Sequence, residues 1–175
     1  MLKGSNLAIR TIKESDLGVL FDLLNDIESQ GEFLPVSFTT QTKLRSAYTE
    51  NGFVSDTSQQ YLITNTEDAI IGSIWLFKSV PYFDALEIGY QIFDHKHRGK
   101  GYATQALKLF CDYIFRSTQV NRLELRIATE NSPSERVAIK LGFKREGTHK
   151  EAAFSKGKLH DMHIYALLRR EWWGA

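Results

Sequence analysis

The sequence predicts a single α/β domain of the α+β kind, in which helices flank a mixed, mostly antiparallel central sheet. Three observations support this prediction. Residues 60–93 have the pattern of successive strands, residues 86–115 read as a strand that turns into a helix, and residues 122–127 return to a strand. A chain of 175 residues can build one well-packed core but not two ordinary domains, so we assign residues 1–175 to one domain.

Composition and charge exclude several classes of protein. The net charge of +1 and the 25% of charged residues are typical of a globular protein and argue against a nucleic-acid partner. The first ten residues lack the apolar region of a signal peptide, and no apolar run approaches the roughly 20 residues that cross a bilayer. The single cysteine, Cys111, is compatible with a reducing cytosol. We therefore expect a cytoplasmic protein without a membrane partner.

The first third of the chain predicts a short strand and two helices. Residues 7–10 form the strand, and Ser15 and Asp16 supply N-cap chemistry for the first helix. Its apolar face consists of Leu17, Leu20, Phe21 and Leu24. Gly31 to Ser37 read as an irregular loop. The second helix runs from Thr40 to Glu50, and Asn51-Gly52 ends it.

Strands dominate the rest of the chain. An antiparallel meander is expected from residues 61–64, 70–77 and 86–93, in that order. After the central helix, Arg122 to Ile127 alternate polar and apolar side chains, so strand, helix and strand form one βαβ-like crossover. The chain closes with strand-like residues 158–167 after a turn at Lys156-Gly157.

The loop between the strand and the central helix is suited to an anion. Two glycines allow a tight turn, the first N–H groups of the helix have no intrahelical partners, and Arg98 and Lys100 add positive charge. A P-loop does not fit, because Lys100 lies between the glycines rather than before a Ser or Thr. A dinucleotide loop fits poorly, since its sixth position is Thr104 and Glu130 is only a loose candidate for the ribose-binding acid.

A second motif follows the strand at residues 122–127. Ser132 as N-cap, Pro133 at the first helical position and Glu135 three residues after the cap predict a capping box and a short helix, which Gly142 ends. Helix capping explains these residues, but it does not explain Asn131 or Ser134.

Both motifs resemble one family. Arg98, Gly101 and Ala103 match the pattern Arg/Gln-x-x-Gly-x-Gly/Ala, and Asn131 and Ser134 match Asn-x-x-Ser/Ala followed eight residues later by Gly-Phe. The chain thus resembles the GNAT superfamily of acyl-CoA-dependent N-acyltransferases. Its EIGY strand and RGKGYAT loop are similar to those of the RimJ/RimL-type protein N-terminal acetyltransferases.

The resemblance implies a GNAT fold whose central sheet splays apart between two strands, and acetyl-CoA as co-substrate without a metal. The pantetheine amides would pair with the splayed strand like an added strand. The expected contacts of the pyrophosphate are Arg98, Gly99, Lys100, Gly101, Tyr102, Ala103 and Thr104. Those of the rest of the co-substrate are Gln91, Ile92, Phe93, Asn131 and Ser134.

Catalysis implied by the resemblance is direct acetyl transfer to a primary amine. Glu87 is the candidate general base, directly or through a water, with Asp161 and Glu151 as weaker candidates. Many superfamily members place a tyrosine acid where this chain has Ala138, so Ser134 and Asn131 are expected to stabilise the thiolate.

The acceptor is expected to be a protein N-terminus of the ribosomal-protein type, with specificity set by residues 29–40 and by a loop at residues 148–160. A small amine, such as a polyamine, amino acid or aminoglycoside, is the alternative within enzymes. The alternative outside enzymes is an acyl-CoA-binding regulatory module without activity. A homodimer is a further expectation, because the resembled group often pairs. The histidine pairs at 95/97 and 160/163 lack a third partner at motif spacing, so no metal site is expected.

Overall fold

The computed structural model describes residues 1–27, 30–35 and 37–172. Within these residues, eight strands form one mixed sheet in the order β1-β2-β3-β4-β5-β6-β8-β7. The strands are β1 (Leu2–Lys3), β2 (Leu7–Arg10), β3 (Ser58–Asn65), β4 (Ile70–Phe77), β5 (Ala85–Ile92), β6 (Arg122–Ala128), β7 (Lys144–Ser155) and β8 (Lys158–Leu168). All neighbouring strands are antiparallel except β5 and β6. The predicted fold class is confirmed.

Helices cover both faces of the sheet. They are α1 (Leu17–Asn25), α2 (Gln41–Asn51), α3 (Tyr102–Ser117), α4 (Ser132–Lys140) and a terminal turn, α5 (Arg169–Trp172). Leu62 in β3 packs in the cluster formed with α1 and α2, whereas its neighbour Ile63 packs in the cluster formed with α3 and α4. Successive side chains of a strand point to opposite faces, so the two helix pairs lie on opposite sides of the sheet.

The two N-terminal helices form as predicted, although the first starts differently. The side chain of Thr40 caps α2 by accepting a hydrogen bond from the Lys43 N–H (3.1 Å), and Gly52 ends the helix at φ +61°. Asp16 does not cap α1. Its carboxylate instead accepts hydrogen bonds from the buried Arg10 guanidinium (2.7 and 3.0 Å) and from the Lys13 N–H (2.7 Å).

The crossover from β5 through α3 to β6 creates the feature on which the site depends. β5 and β6 are parallel, and their pairing covers only Ala85–Glu87 against Arg122–Glu124. Beyond this point β5 continues beside β4 to Ile92, and β6 continues beside β8 to Ala128. The two strands therefore separate within the sheet, as the resemblance implies.

The prediction of a loop at residues 148–160 is wrong. These residues belong to the hairpin of β7 and β8, which pair from Lys144 and Ala166 to Ser155 and Lys158. β7 shows no apolar alternation because most of its side chains are exposed, and two register irregularities interrupt its pairing. The residues of β7 have no local strand pattern, so it is the pairing with β8 that makes this segment a strand.

The C-terminal turn packs on α3. The Trp172 indole N–H donates to the Asp112 carboxylate (2.7 Å), and the ring lies against Phe115. Trp173 lies outside the described residues. None of the helices described here combines the length and apolar character needed to cross a membrane.

Candidate active site

A cavity of about 770 Å³ opens where β5 and β6 separate. Its walls are Ile88–Ile92 of β5, Leu125–Ala128 of β6, the first turns of α3 and α4, and residues 31–34. The volume lies within the range of small-molecule and cofactor sites. The cavity joins the three regions to which the sequence assigned separate tasks: the glycine loop, the second motif and the irregular N-terminal loop.

The glycine loop forms one end of the cavity, at the N-terminus of α3. Gly101 is the N-cap of α3 at φ +81°, and no described side chain caps the first turn. Gly99 is also left-handed (φ +72°), and a Cβ at either glycine would meet no described atom within 4 Å. The N–H groups of the first turn and the positive end of the helix dipole therefore face open space, which favours an anion there.

The cations of the loop are placed differently from the sequence-based expectation. The Arg98 guanidinium donates to the backbone oxygens of Ile92 (3.2 Å) and Phe93 (3.1 Å) and contacts the His95 ring (3.0 Å). Arg98 therefore ties the loop to the end of β5 while still lining the cavity. Lys100 is exposed and does not line it. The loop's attraction for anions thus depends chiefly on backbone N–H groups.

The other predicted co-substrate contacts divide into two groups. Gln91 and Ile92 line the cavity, as do Tyr102, Ala103 and Thr104. The side chain of Phe93 does not: it is buried in the second core cluster under α1 and α2. Any contact of Phe93 with a ligand is therefore limited to its backbone.

The second motif begins α4, but its cap is Asn131 and not Ser132. The Asn131 Oδ1 accepts a hydrogen bond from the Ser134 N–H (3.2 Å), and Ser132 is the first helical residue. Glu135 does not close a capping box, because its carboxylate accepts from the Tyr165 hydroxyl (2.5 Å). Asparagine and serine are equally good N-caps, so the sequence alone could not choose between neighbours. Asn131 and Ser134 both line the cavity.

Glu87 lies immediately behind the cavity wall. Its carboxylate pairs closely with the Arg126 guanidinium, and its side chain is only 12% exposed. Arg126 lines the cavity, whereas Glu87 does not. Burial raises the pKa of Glu87, and the charge of Arg126 opposes that rise. Glu87 can therefore reach a proton in the cavity only through a water or a shift of Arg126.

The two weaker base candidates lie outside the cavity. Asp161 forms an ion pair with Lys150 (2.7 Å) and accepts from the Glu151 N–H (2.9 Å), and these bonds hold its pKa below the usual range. Glu151 is exposed on β7. Neither side chain lines the cavity. Among the described residues, no group of three His, Cys, Asp or Glu side chains is placed to hold a metal ion.

The irregular N-terminal loop closes the other end of the cavity. Gly31 to Leu34 line it, so this part of the segment faces the cavity. The Ser155 hydroxyl lies 2.7 Å from the Glu32 oxygen and 3.1 Å from the Leu34 oxygen, and the Phe33 ring meets His160 edge-on at 5.6 Å. The β7–β8 hairpin thus holds the loop in place. Val36, part of the predicted loop, lies outside the described residues.

Four further residues line the cavity and were not predicted from the sequence. They are Trp75, Tyr90, Arg126 and Met162. The Trp75 ring covers Gly89 so closely that a Cβ there would lie 2.2 Å from it. Each of the four looks like an ordinary strand residue in the sequence. Only the glycine in the EIGY strand indicates that something approaches the backbone closely.

Comparisons with known proteins agree with this geometry. The chain matches the family described as Acetyltransferase (GNAT) domain over residues 6–144. An uncharacterized N-acetyltransferase p20 of Bacillus licheniformis is 28% identical over 99% of this chain and 98% of its own length. Ribosomal-protein-serine acetyltransferase of Escherichia coli (strain K12) is 33% identical over 58% of this chain and 56% of its own.

A solved structure shares the fold. Spermidine N-acetyltransferase from Vibrio cholerae, in complex with CoA and spermine, superposes with a TM-score of 0.85 at 20% sequence identity, covering 97% of this chain and 99% of that one. The family match spans most of the chain, and the split strand pair and the glycine loop stand where the family resemblance placed them. The chain therefore belongs to the GNAT acetyltransferase family and is an N-acetyltransferase.

Proposed function

We propose that this protein transfers the acetyl group of acetyl-CoA to the α-amine of a protein N-terminus, in the manner of the RimJ/RimL-type enzymes. The observation that carries the proposal is a single cavity with three kinds of wall. It contains the N-terminus of α3, which suits an anion, the separated strands β5 and β6, and a region lined by both acidic and basic side chains. We also propose that the protein is cytoplasmic, which its composition and single cysteine favour.

The described residues fit the co-substrate in three places. The first turn of α3 offers backbone N–H groups to the pyrophosphate, and Gly99 and Gly101 leave the approach open. The edge of β5 between Ile88 and Ile92 is not taken up by β6, so the pantetheine amides can pair there like a strand. The hydroxyl of Ser134 lines the same cavity beside Tyr90, and we place the thioester there.

The acceptor end suits an α-amine that is followed by a peptide carbonyl. Glu32 and Glu130 can attract an ammonium group, while Arg126 places a cation in the same space. The Arg126 Nε is buried and has no hydrogen-bond partner among the described residues. Its N–H can therefore donate a hydrogen bond to a carbonyl oxygen. A second ammonium, as in a polyamine, would instead meet like charge at Arg126.

Chemical reactivity also favours an α-amine. An α-amine of pKa about 7.7–8.0 is neutral at roughly the ten per cent level at pH 7, whereas a lysine amine near 10.4 is neutral only about once in several thousand molecules. Glu87 stands behind Arg126 and not in the cavity, so it can take the acceptor's proton only through a water or a shift of Arg126. The neutral nitrogen then attacks the acetyl carbon, and Ser134 donates to the sulfur as the C–S bond breaks.

A direct competition tests the acceptor. The protein is supplied with acetyl-CoA and equal concentrations of a serine-starting ribosomal-protein peptide, the same peptide with a blocked N-terminus and one internal lysine, and spermidine. We expect kcat/KM for the free α-amine to exceed the other two at least about tenfold, from the difference in the neutral fraction. A preference for spermidine or for the blocked peptide, measured by mass spectrometry, would contradict the proposed acceptor.

A polyamine is the second candidate. The observation in its favour is the pair of exposed carboxylates, Glu32 and Glu130, at the mouth of the cavity. In that case Glu32→Gln should raise KM for spermidine strongly, and spermidine should be acetylated faster than the peptide by the unchanged protein.

Three substitutions in the second motif should separate stability from rate. Because Asn131 caps α4, Asn131→Ala is expected to cost about 0.5–2 kcal/mol of unfolding free energy, whereas Ser132→Ala and Ser134→Ala should cost little, since alanine is a good helix former. Ser134→Ala should nevertheless slow acetyl transfer by about 10- to 1,000-fold, because it removes a donor to the developing thiolate.

Thermal unfolding and single-turnover transfer measure the two quantities. A Ser134→Ala variant that transfers acetyl at the wild-type rate, with chemistry as the limiting step, would show that Ser134 only occupies a helix turn. Ser132→Ala is the matched control, since it changes the neighbouring turn position without touching the hydroxyl in question.

A further inference from the structure

We propose that Tyr90 is a catalytic residue, whose hydroxyl donates a hydrogen bond to the CoA sulfur as the C–S bond of the thioester breaks. The proposal rests on the acetyl-CoA site proposed above and adds to it a donor that neither sequence motif contains. It is independent of which amine is the acceptor.

Tyr90 is placed at the point where β5 and α4 face each other across the cavity. It lies on β5 between Ile88 and Ile92, in the part of the strand that β6 does not cover, and it lines the cavity together with Ser134. Burial raises the pKa of Tyr90, and the Ser134 hydroxyl opposes that rise. Both hydroxyls therefore act on the same small region.

The Tyr90 hydroxyl makes no well-formed hydrogen bond within the described structure, although the Ser134 hydroxyl lies near enough to influence its pKa. Its oxygen is buried and makes no hydrogen bond of normal geometry. Buried polar groups are nearly always hydrogen-bonded, and an unpaired one destabilises the fold. An unpaired hydroxyl on the wall of a ligand cavity is thus explained by a ligand atom that completes its hydrogen bond.

The neighbourhood of Ala138 explains why this donor is needed. Ala138 is fully buried in the cluster against which Tyr90 packs, and its methyl group offers no donor. Here β5 provides a phenol to the same side of the sheet, since Tyr90 and Ala138 share one packed cluster.

The relative acidities decide what the phenol does. A thiol titrates near 8.5 and a tyrosine near 10, and burial raises the pKa of Tyr90 further, so the proton stays on Tyr90 while the sulfur carries charge. The amine nitrogen forms a bond to the acetyl carbon, the C–S bond breaks, and its electron pair remains on sulfur as a thiolate. The proton lost by the nitrogen leaves through water, and Tyr90 stabilises the thiolate without consuming a proton.

The first experiment compares the loss of an unpaired hydroxyl inside the cavity with the loss of a hydrogen-bonded hydroxyl outside it. Tyr90→Phe is expected to slow single-turnover transfer about 10- to 100-fold while the melting temperature stays equal or rises, because an unpaired hydroxyl is removed. The control is Tyr61→Phe, which removes a hydroxyl bonded to Gln59 (2.8 Å) outside the cavity. It should lower the melting temperature by about 2–4 °C and leave the rate unchanged.

The second experiment needs no acceptor. CoA labelled with ¹³C next to sulfur is bound to the protein and its thiol titrated by NMR. We expect the thiol pKa to be lower in the wild-type complex than in free CoA, and to rise by about one unit in Tyr90→Phe, which is the tenfold loss of thiolate stabilisation. An unchanged thiol pKa in folded Tyr90→Phe would overturn the proposal, even if no tested amine were acetylated.

The double variant Tyr90→Phe/Ser134→Ala tests direct contact with the sulfur. If both hydroxyls reach the sulfur, their effects on the thiol pKa should add. A double variant no different from Ser134→Ala alone would show that Tyr90 acts only through Ser134, and the direct contact proposed here would be wrong.

Discussion

Replacing Glu87 by glutamine is expected to lower kcat about 100- to 10,000-fold with little change in the affinity for CoA. Glutamine keeps the size of the side chain but cannot accept a proton. The carboxylate is buried behind the cavity wall and bound to Arg126, so its effect is exerted on the acceptor side and not on the co-substrate. Steady-state kinetics and CoA calorimetry on the same preparation measure both quantities.

The pH dependence of the rate tests the role of Glu87 as general base more sharply than the rate at one pH. Burial raises the pKa of Glu87 above its ordinary value, against the opposing charge of Arg126. Only the carboxylate accepts a proton, so the wild-type rate should rise as pH increases through that raised pKa. Glu87→Gln should lose this acidic limb and keep the limb due to the amine itself, which lies near pH 7.7–8.0 for an α-amine.

Two variants separate the base from a structural ion pair. Glu146→Gln alters a nearby carboxylate that is bonded to Arg122 (2.5 Å) rather than to Arg126, and kcat should be retained. Arg126→Gln removes the partner of Glu87. If Arg126→Gln and Glu87→Gln lose the same activity and both keep the acidic limb, Glu87 only positions Arg126 and its role as base is contradicted.

Gly101→Asp is expected to weaken CoA binding by about 30- to 1,000-fold. Two like charges 4 Å apart near a protein surface repel by roughly 4 kcal/mol, and even half of that corresponds to about 30-fold in the dissociation constant. The new carboxylate would stand at the N-cap of α3, where the pyrophosphate is expected to meet the first turn. Calorimetry with CoA measures the change.

Gly157→Asp is the matched control for that variant. Gly157 has the same φ of +81°, has no described atom within 4 Å of a Cβ, and lies in the β7–β8 turn outside the cavity. Both substitutions should strain the backbone equally, but only Gly101→Asp should affect CoA. Unchanged CoA affinity in folded Gly101→Asp would contradict the assignment of the glycine loop.

Elements with a strong local pattern could be predicted from the sequence. The apolar stripe of α3 is buried from Ala106 to Ile114, and β4 has the predicted bounds Ile70–Phe77. Gly52 ends α2 in the left-handed conformation that its position indicates. In each case the periodicity or turn chemistry of a few neighbouring residues is sufficient, because the tertiary contacts reinforce it.

What could not be predicted depends on tertiary contacts that leave no periodic pattern in the residues concerned. β7 becomes a strand only because it pairs with β8. Glu87 is withdrawn from the cavity by Arg126, 39 residues away, and Glu135 leaves the expected capping box for Tyr165. Tyr90 shows no signal in the sequence beyond the EIGY strand. The backbone motifs that line the cavity could therefore be located from the sequence, whereas the placement of several side chains around it could not.

Amide hydrogen exchange with and without CoA most directly tests the central claim, that the co-substrate occupies the gap between β5 and β6 and the start of α3. We predict slower exchange at residues 88–92 and 102–104 on addition of CoA, because bound amide and phosphate groups would accept hydrogen bonds there, and no change in β2. Exchange at residues 88–92 and 102–104 that is unaffected by saturating CoA, with protection elsewhere in the chain, would contradict the account.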